Sequence, residues 1–275
     1  MLSPFIFPSI SSLPPGYDCT ISVPISRLEA KIARDGKLRC LMRIFHAGKV
    51  IHAEQHMITV KDRKAVGQIP PFVWRDHGEA WNGDAGFLEL SFRSDDGEPM
   101  FRNTNVIGFY AIYAKERKKS FFSDNAFRYG SPPIINQIAA FRKYVDAYPV
   151  VRLDRKRDLG ETVTLINPYE KPVRANIFTH DGRVLRGRNV APNSALNVRL
   201  VELLRDDEDE WIGHIQLTAT NRLVTFHVKH SLKDPTIISD HEHLDPFRSD
   251  ETHYPFTQIM RLRWGSFMKD RGWAS

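Results

Sequence analysis

Short blocks of sequence occur twice in this chain, in the same order each time. The stretch from Thr104 to Asp124 aligns without a gap with the stretch from Thr220 to Asp240. Three earlier pairs of blocks also match: Gly86–Phe92 with Gly213–Ala219, Arg43–Val50 with Asn176–Val184, and Tyr17–Pro24 with Glu161–Pro168. Because the offsets between them change as loop insertions would change them, the sequence predicts two copies of one module.

The blocks have the period of two that is typical of β-strands. Polar and apolar residues alternate in Thr162–Leu165, Leu196–Leu200 and Val224–Lys229, so one side of each strand is expected to face a core. Turn-forming pairs separate the blocks: Asp35-Gly36, Ala47-Gly48, Asn167-Pro168, Asp181-Gly182 and Pro192-Asn193. The sequence therefore predicts a mainly β chain of two tandem antiparallel, Ig-like β-sandwich modules.

Segments with helical periodicity follow each predicted module. After Pro132-Pro133, apolar residues at Ile134, Ile138, Phe141 and Val145 would lie on one side of a helix that ends near Ala147. A similar segment follows Tyr254-Pro255. The predicted organisation is a Pro-rich segment at 1–16, the first module at 17–132, a helix and linker at 133–157, the second module at 158–247, and a C-terminal helix or tail at 248–275.

Composition limits the class of protein. The chain has 275 residues, of which 41% are hydrophobic and 26% are charged, which is typical of a folded globular protein. No apolar run approaches the ~20 residues of a spanning helix, and the first residues lack the basic region of a signal peptide. We therefore expect no membrane partner, a cytoplasmic location, and reduced thiols at Cys19 and Cys40.

The net charge of +6 and the isoelectric point near 9.3 favour anionic partners. The basic clusters Lys115–Lys119, Arg152–Arg157 and Arg261–Arg271 are short, and the acidic run Asp206–Glu210 lies between two of them. This pattern favours a solvated basic surface. An accessory nucleic-acid binder is the alternative interpretation, and it predicts binding that weakens steeply with salt.

A group of histidines and carboxylates lies near the end of the second copy. In an extended chain His241, His243 and Asp245 would point to the same side, with His230 upstream and His253 downstream. Imidazole and carboxylate ligands suit zinc or iron. A metal-dependent enzyme is therefore one alternative function, and an exposed polar loop without a cofactor is the other interpretation of these residues.

A second candidate site lies in Lys61–Asp84, which is predicted to be a long surface loop. Trp74, Arg75, His77 and Trp81 could form a recognition face there, or the aromatic residues could form the loop's own small core. The sequence contains no phosphate loop, nucleophile elbow, zincin signature or paired-cysteine zinc site, and no catalytic residue is assigned. The leading prediction is a non-catalytic binding or scaffold protein with a protein or carbohydrate partner.

The second copy also resembles a known family. Glu161–Pro168, Val190–Pro192 and Val224–His230 with the following Ser231–Asp234 are similar to the sensory rhodopsin transducer family of small bacterial β-sandwich proteins. The resemblance covers residues 161–234. It implies a cytosolic, oligomeric, non-enzymatic interaction protein of a kind sometimes linked to sugar or DNA binding.

Overall fold

The computed structural model describes residues 5–8, 17–22, 36–61, 64–66, 86–94, 110–115, 119–123, 126–127, 144–220, 223–234 and 237–243. This part of the chain is mainly β, and its strands pair in antiparallel sheets. The prediction of a mainly β, antiparallel chain is therefore confirmed. No helix in these residues has the length and apolar composition needed to span a bilayer.

The described strands, in chain order, are β1 (Phe5–Pro8), β2 (Tyr17–Ser22), β3 (Gly36–His46), β4 (Lys49–Lys61), β5 (Lys64–Val66), β6 (Phe87–Ser94), β7 (Tyr110–Lys115), β8 (Lys119–Ser123), β9 (Ala126–Phe127), β10 (Tyr144–Asp154), β11 (Leu159–Asn167), β12 (Val173–Thr179), β13 (Val184–Val190), β14 (Ser194–Arg199), β15 (Glu210–Ala219), β16 (Val224–Ser231) and β17 (Ile238–His243). A short 3-10 helix, Leu200–Leu203, lies between β14 and β15.

The strands form three sheets. The N-terminal sheet has the order β5-β4-β3-β6-β1-β9, and a small sheet has the order β2-β7-β8. The C-terminal sheet has the order β13-β12-β15-β10-β11-β16-β17, and β14 also pairs with β11. The strand β11 therefore contacts several neighbours, which places it at the centre of the C-terminal half.

Several predicted turns are present where the sequence placed them. Ala47 and Gly48 both have positive φ, at 47° and 81°, and they form the two-residue turn between β3 and β4. A Cβ atom on Gly48 would lie 3.1 Å from the carbonyl oxygen of Pro192. Glycine at this position therefore lets the hairpin approach the chain segment that precedes β14 in the C-terminal sheet.

The described residues include two clusters of buried apolar side chains that bear on the C-terminal half. The C-terminal core lies within the C-terminal half and includes Val151, Leu153, Val163, Leu165, Ile177, Trp211 and Leu217. The inter-sheet core joins Ile6, Phe45 and Phe87 of the N-terminal sheet to Ile166, Val224 and Phe226 of the C-terminal sheet. The rings of Phe45 and Phe87 stack with their centroids 4.7 Å apart. Burial of these side chains is the main force that joins the two sheets.

Residues on both sides of β11 and β16 are buried, whereas the sequence predicted that one side of each strand would face a core. Phe226 on one side of β16 belongs to the inter-sheet core. Thr225 and His227 on the other side are also buried, and they pair with Leu165 and Val163, which belong to the C-terminal core. The predicted solvent side of β16 is therefore a second buried side, occupied by polar residues.

The helix predicted to end near Ala147 is wrong in its last part. Residues from Tyr144 belong to β10, and Tyr144–Tyr148 pair with Ala219–Ile215 of β15. Pro149 has no N–H to donate, and it lies at an irregularity in this pairing between Tyr148 and Val151. The strand β10 thus belongs to the C-terminal sheet, although the sequence assigned these residues to a linker at 133–157. The rest of the predicted helix, 134–143, lies outside the described residues.

Other predicted boundaries also change. Phe5–Pro8, predicted as part of a separate N-terminal segment, forms β1 between β6 and β9. The predicted loop Lys61–Asp84 begins later than expected, because Lys64–Val66 forms β5 and pairs with β4. The predicted C-terminal helix or tail at 248–275 lies outside the residues that the structure describes.

Candidate functional site

The structure describes some of the residues predicted to form sites. Those outside the described residues are Trp74, Arg75, His77 and Trp81 of the predicted recognition face, and Asp245 and His253 of the predicted metal site. His241 and His243 lie in β17, so this stretch is extended as the sequence predicted. His230 lies near the end of β16.

His241 is a core residue. Its side chain is 4% exposed, and its ring stacks on Phe226 of the inter-sheet core with the centroids 5.4 Å apart. Burial, and secondarily the nearby charge of His227, lower the pKa of His241 to about 3. The imidazole is therefore neutral at neutral pH and contributes to packing.

His230 is fixed by hydrogen bonds at both ring nitrogens. Nδ1 lies 2.8 Å from the backbone carbonyl oxygen of Ser231, and Nε2 lies 2.9 Å from the hydroxyl of Thr162. A carbonyl oxygen can only accept, so Nδ1 carries the proton, and in the neutral ring Nε2 accepts from Thr162.

The described histidines and acids give no metal site. No group of three or more His, Cys, Asp or Glu side chains in the described ranges is arranged to hold a metal ion. On β4, the Nε2 atoms of His52 and His56 each lie 3.4 Å from the same oxygen of Glu54. Glu54 is exposed and both histidines are half-buried.

A cleft lies at the end of the C-terminal sheet where β11, β14 and β16 meet. Its volume is about 350 Å³, within the range of small-molecule binding sites. The side chains that line it are Arg155, Asp158, Glu161, Arg199, Val201, His230, Leu232 and Lys233. We take this cleft as the candidate functional site, because it is concave and combines an apolar wall with convergent charged groups.

Strand register brings these residues together. Thr162 of β11 pairs with Arg199 of β14, and Gly160 pairs with His230 of β16. A Cβ atom on Gly160 would lie 2.6 Å from Cδ2 of Leu232 and 2.9 Å from Cε1 of His230. Only glycine at position 160 allows both side chains to lie across the strand and form the floor of the cleft.

Asp158 holds the turn that forms one rim of the cleft. Its carboxylate accepts hydrogen bonds from the hydroxyl of Ser231, at 2.5 Å, and from the backbone N–H of Lys233, at 2.8 Å. The hydroxyl of Ser231 in turn accepts from the backbone N–H of Asp234. The Ser231 hydrogen bond, followed by the backbone N–H and charge of Lys233, lowers the pKa of Asp158, which keeps the carboxylate ionised.

Glu161 extends from the cleft into the interior. One carboxylate oxygen lies 2.5 Å from Nε2 of His227, and the other accepts the backbone N–H of Arg152 at 2.8 Å. Both Glu161 and His227 are buried. This pair fixes β10, β11 and β16 relative to one another, since each of the three strands contributes one group.

Two of the cations at the cleft carry charge that the described part of the chain does not pair. Arg155 donates through Nη1 to the backbone carbonyl oxygens of Arg205, Asp206 and Glu208. Within the described residues, the guanidinium of Arg199 forms no hydrogen bond or ion pair, and the ammonium of Lys233 forms no ion pair within 4.0 Å. The cleft therefore offers positive charge to a ligand.

The other cations of the basic run Arg152–Arg157 differ from Arg155 at the cleft, because acids of the same chain pair with them. Arg152 donates to Glu210 at 3.0 and 2.7 Å, and Lys156 lies 2.6 Å from Asp209. The acidic run Asp206–Glu210 thus supplies ion-pair partners to the basic run. This arrangement reduces the positive surface that a nucleic acid could use.

The cleft is not evident from the sequence. Its residues come from separate segments, 155–161, 199–201 and 230–233, and no spacing within one segment shows that they meet. One signal was available: Glu161 and His227 occupy alternate positions in strands whose neighbours are apolar or small. Polar residues at such positions indicate a buried pair.

Comparisons with known proteins give no further assignment. The chain matches no protein-family model, no curated protein and no solved structure. The candidate site therefore rests on the geometry and the chemistry of the residues described above.

Proposed function

We propose that this chain is a non-catalytic binding protein of two β-sandwich modules, and that the cleft between β11, β14 and β16 is a ligand site. The observation that carries the proposal is the cleft itself. It has the volume of a small-molecule site and an apolar wall of Val201 and Leu232. It also has charged groups that converge on one space, as in sites that orient a ligand.

The carboxylates and the histidine at the cleft are hydrogen-bonded to other groups of the protein, which supports binding over catalysis. His230 has both ring nitrogens in hydrogen bonds. The carboxylates of Asp158 and Glu161 accept hydrogen bonds from the protein, and Glu161 is also paired with His227. A general acid or base must reach the reacting group of a substrate, and these side chains are held by structural partners instead.

The order of the strands supports two copies of one module. In the N-terminal sheet β4, β3, β6 and β1 are successive neighbours, and in the C-terminal sheet β13, β12, β15 and β10 are successive neighbours. The strands β3 and β4 form a hairpin, as do β12 and β13. Likewise β2-β7-β8 has the same pairing order as β11-β16-β17. These matches agree with the repeated blocks of sequence.

The resemblance of residues 161–234 to the sensory rhodopsin transducer family belongs to the same proposal. Members of that family are non-enzymatic interaction proteins, and the segments that carry the resemblance form β11, the loop after β13, and β16 with its following turn. The turn Ser231–Asp234 is part of the cleft. A cytoplasmic location is part of this proposal as well.

The proposal is tested by comparing ligand binding in the wild type with binding in a variant whose cleft is filled. Thermal unfolding would be measured with a panel of monosaccharides, sugar phosphates, carboxylic acids and amino acids, in the wild type, in Val201→Trp and in Ile212→Trp. The V201W variant fills the cleft, whereas Ile212 lies on β15 outside it and is 55% exposed. We expect a saturable rise of the melting temperature with one class of compound, lost in V201W and retained in I212W.

Two results would contradict the proposal. If no compound class raises the melting temperature of the wild type, the cleft is not a small-molecule site. If a compound stabilises V201W as strongly as the wild type, the protein binds that compound elsewhere. Circular dichroism of both tryptophan variants would first establish that they are folded.

A further inference from the structure

We infer that the ligand of the cleft is a small organic anion, whose phosphate or carboxylate group is held by Arg199 and Lys233. The inference rests on the proposed function, since it names the ligand class of the same cleft. It is carried by two observations together: the cleft has the volume of a small-molecule site, and Arg199 and Lys233 line it without an ion pair to an acid of the described residues.

The half-buried arginines of the C-terminal half have carboxylate partners, whereas Arg199 is exposed at the cleft and has none in the described residues. Arg183 donates to both carboxylate oxygens of Glu208. Arg152 donates through Nε and Nη2 to one carboxylate oxygen of Glu210. Such pairs are strong and geometrically specific, because the planar guanidinium matches a carboxylate.

Arg199 has an acid close by in sequence and does not pair with it. Glu202 lies three residues further along the chain, and its carboxylate pairs with Arg188 instead. No other acidic side chain in the described ranges forms an ion pair with Arg199. The guanidinium at the cleft is therefore available for an oxyanion from solution.

Lys233 belongs to a hydrogen-bonded turn that lines the cleft. Its backbone N–H donates to Asp158, and Ser231 links Asp158 to the backbone N–H of Asp234. A fixed turn loses little conformational entropy on binding. Asp158 lies near Lys233 and attenuates its charge, so we expect Arg199 to contribute more of the affinity.

The dimensions and charges of the cleft favour a small anion over a polyanion. A volume of about 350 Å³ suits one small molecule, and Val201 and Leu232 offer an apolar wall for its carbon skeleton. A nucleic acid needs a continuous positive track, but two cations of the neighbouring basic run, Arg152 and Lys156, are paired with acids of Asp206–Glu210.

Nuclear magnetic resonance titration tests the inference. Inorganic phosphate, succinate and the neutral analogue succinamide would be added to the ¹⁵N-labelled full chain. The variants are Arg199→Gln, Lys233→Gln and the control Arg186→Gln. Arg186 is exposed on β13, away from the cleft, and forms no hydrogen bond or ion pair in the described residues, so R186Q changes the net charge equally.

We expect phosphate or succinate to give saturable shifts at the amides of 158–162, 199–201 and 230–233, and succinamide to give none. R199Q should weaken the binding about tenfold or more, and K233Q should weaken it less, whereas R186Q should not change it. Affinity should also fall as the salt concentration rises.

Three results would overturn the inference. Shifts that spread over the surface and weaken equally in all three variants would indicate non-specific attraction to a basic protein. The absence of saturable shifts with both anions would show that the cleft does not hold an oxyanion. Binding of a neutral compound that V201W abolishes and R199Q leaves unchanged would overturn the anion assignment while retaining the cleft as a ligand site.

Discussion

Nε2 of His227 lies 2.5 Å from Oε2 of Glu161, and both side chains are buried between β11 and β16. The other oxygen of Glu161 accepts the backbone N–H of Arg152 on β10. The same carboxylate thus joins three strands and reaches the cleft. Its environment makes Glu161 a structural residue at the base of the proposed ligand site.

Removal of this carboxylate should destabilise the fold strongly. In Glu161→Ala, His227 and the Arg152 N–H lose their acceptor inside the protein, and we expect a loss of about 3–5 kcal/mol in the free energy of unfolding. Glu161→Gln should lose less, because its amide oxygen can still accept from Arg152. Urea unfolding measures both, with Glu170→Ala at an exposed site as control. Equal stability of E161A and E170A would refute a structural role.

Stability should also depend on pH through His241. Burial lowers its pKa in the folded protein to about 3, from an ordinary value of 6.5. The unfolded chain therefore binds a proton between about pH 6.5 and pH 3 where the folded chain does not, so stability falls as the pH falls through this range. Above pH 6.5 both states are neutral at this residue, and it makes no pH-dependent contribution.

The substitution His241→Phe isolates this effect. Phenylalanine keeps a ring stacked on Phe226 but has no proton to bind. We expect unfolding free energies of the wild type to fall by up to about 1.4 kcal/mol per pH unit more than those of H241F between pH 6 and pH 4. Urea unfolding at several pH values gives these slopes. The exposed His214→Phe is the control, and equal slopes in the wild type and H241F would contradict the prediction.

The sequence predicts features that depend on neighbouring residues. The turn at Ala47-Gly48 follows from local backbone preferences, and both residues have the positive φ that the turn requires. The alternation in Val224–Lys229 likewise identifies β16. In each case the information lies within a few residues of the chain.

Features that depend on distant pairing are predicted poorly. The spacing of Ile138, Phe141 and Val145 favours a helix, but Tyr144–Asp154 forms β10 because it pairs with β15, far along the chain. The burial of Thr225 and His227 also has a distant cause, since cores lie on both sides of β16. The residues Arg199 and Lys233 line one cleft only because β14 and β16 both pair with β11.

A methyl group at Gly160 should disturb the cleft. In Gly160→Ala the added Cβ would lie within 3 Å of Leu232 and His230, so these side chains must move, at about 1–3 kcal/mol of stability. Gly36→Ala is a matched control, because no atom lies within 4 Å of a Cβ at that position of β3. Thermal or urea unfolding compares the two variants. A G160A protein as stable as G36A would show that the cleft floor is loosely packed.

The thiol of Cys40 should be unreactive in the folded protein. Cys40 is a buried free cysteine on β3, and burial raises its pKa to about 12. The thiolate is the reactive form, so both the low thiolate fraction and the lack of access slow modification.

In a Cys19→Ser background Cys40 is the remaining thiol, and its reaction with Ellman's reagent at pH 8 reports on this position alone. We expect the rate in buffer to be at least about three orders of magnitude below the rate in concentrated urea. The control is a variant whose single thiol is at position 59, an exposed site on the neighbouring strand β4. It carries Thr59→Cys together with Cys19→Ser and Cys40→Ser, and it gives the reaction rate of an accessible thiol. Similar rates for Cys40 and for this control would mean that β3 and β4 separate readily, and the burial of Cys40 would then not describe the protein in solution.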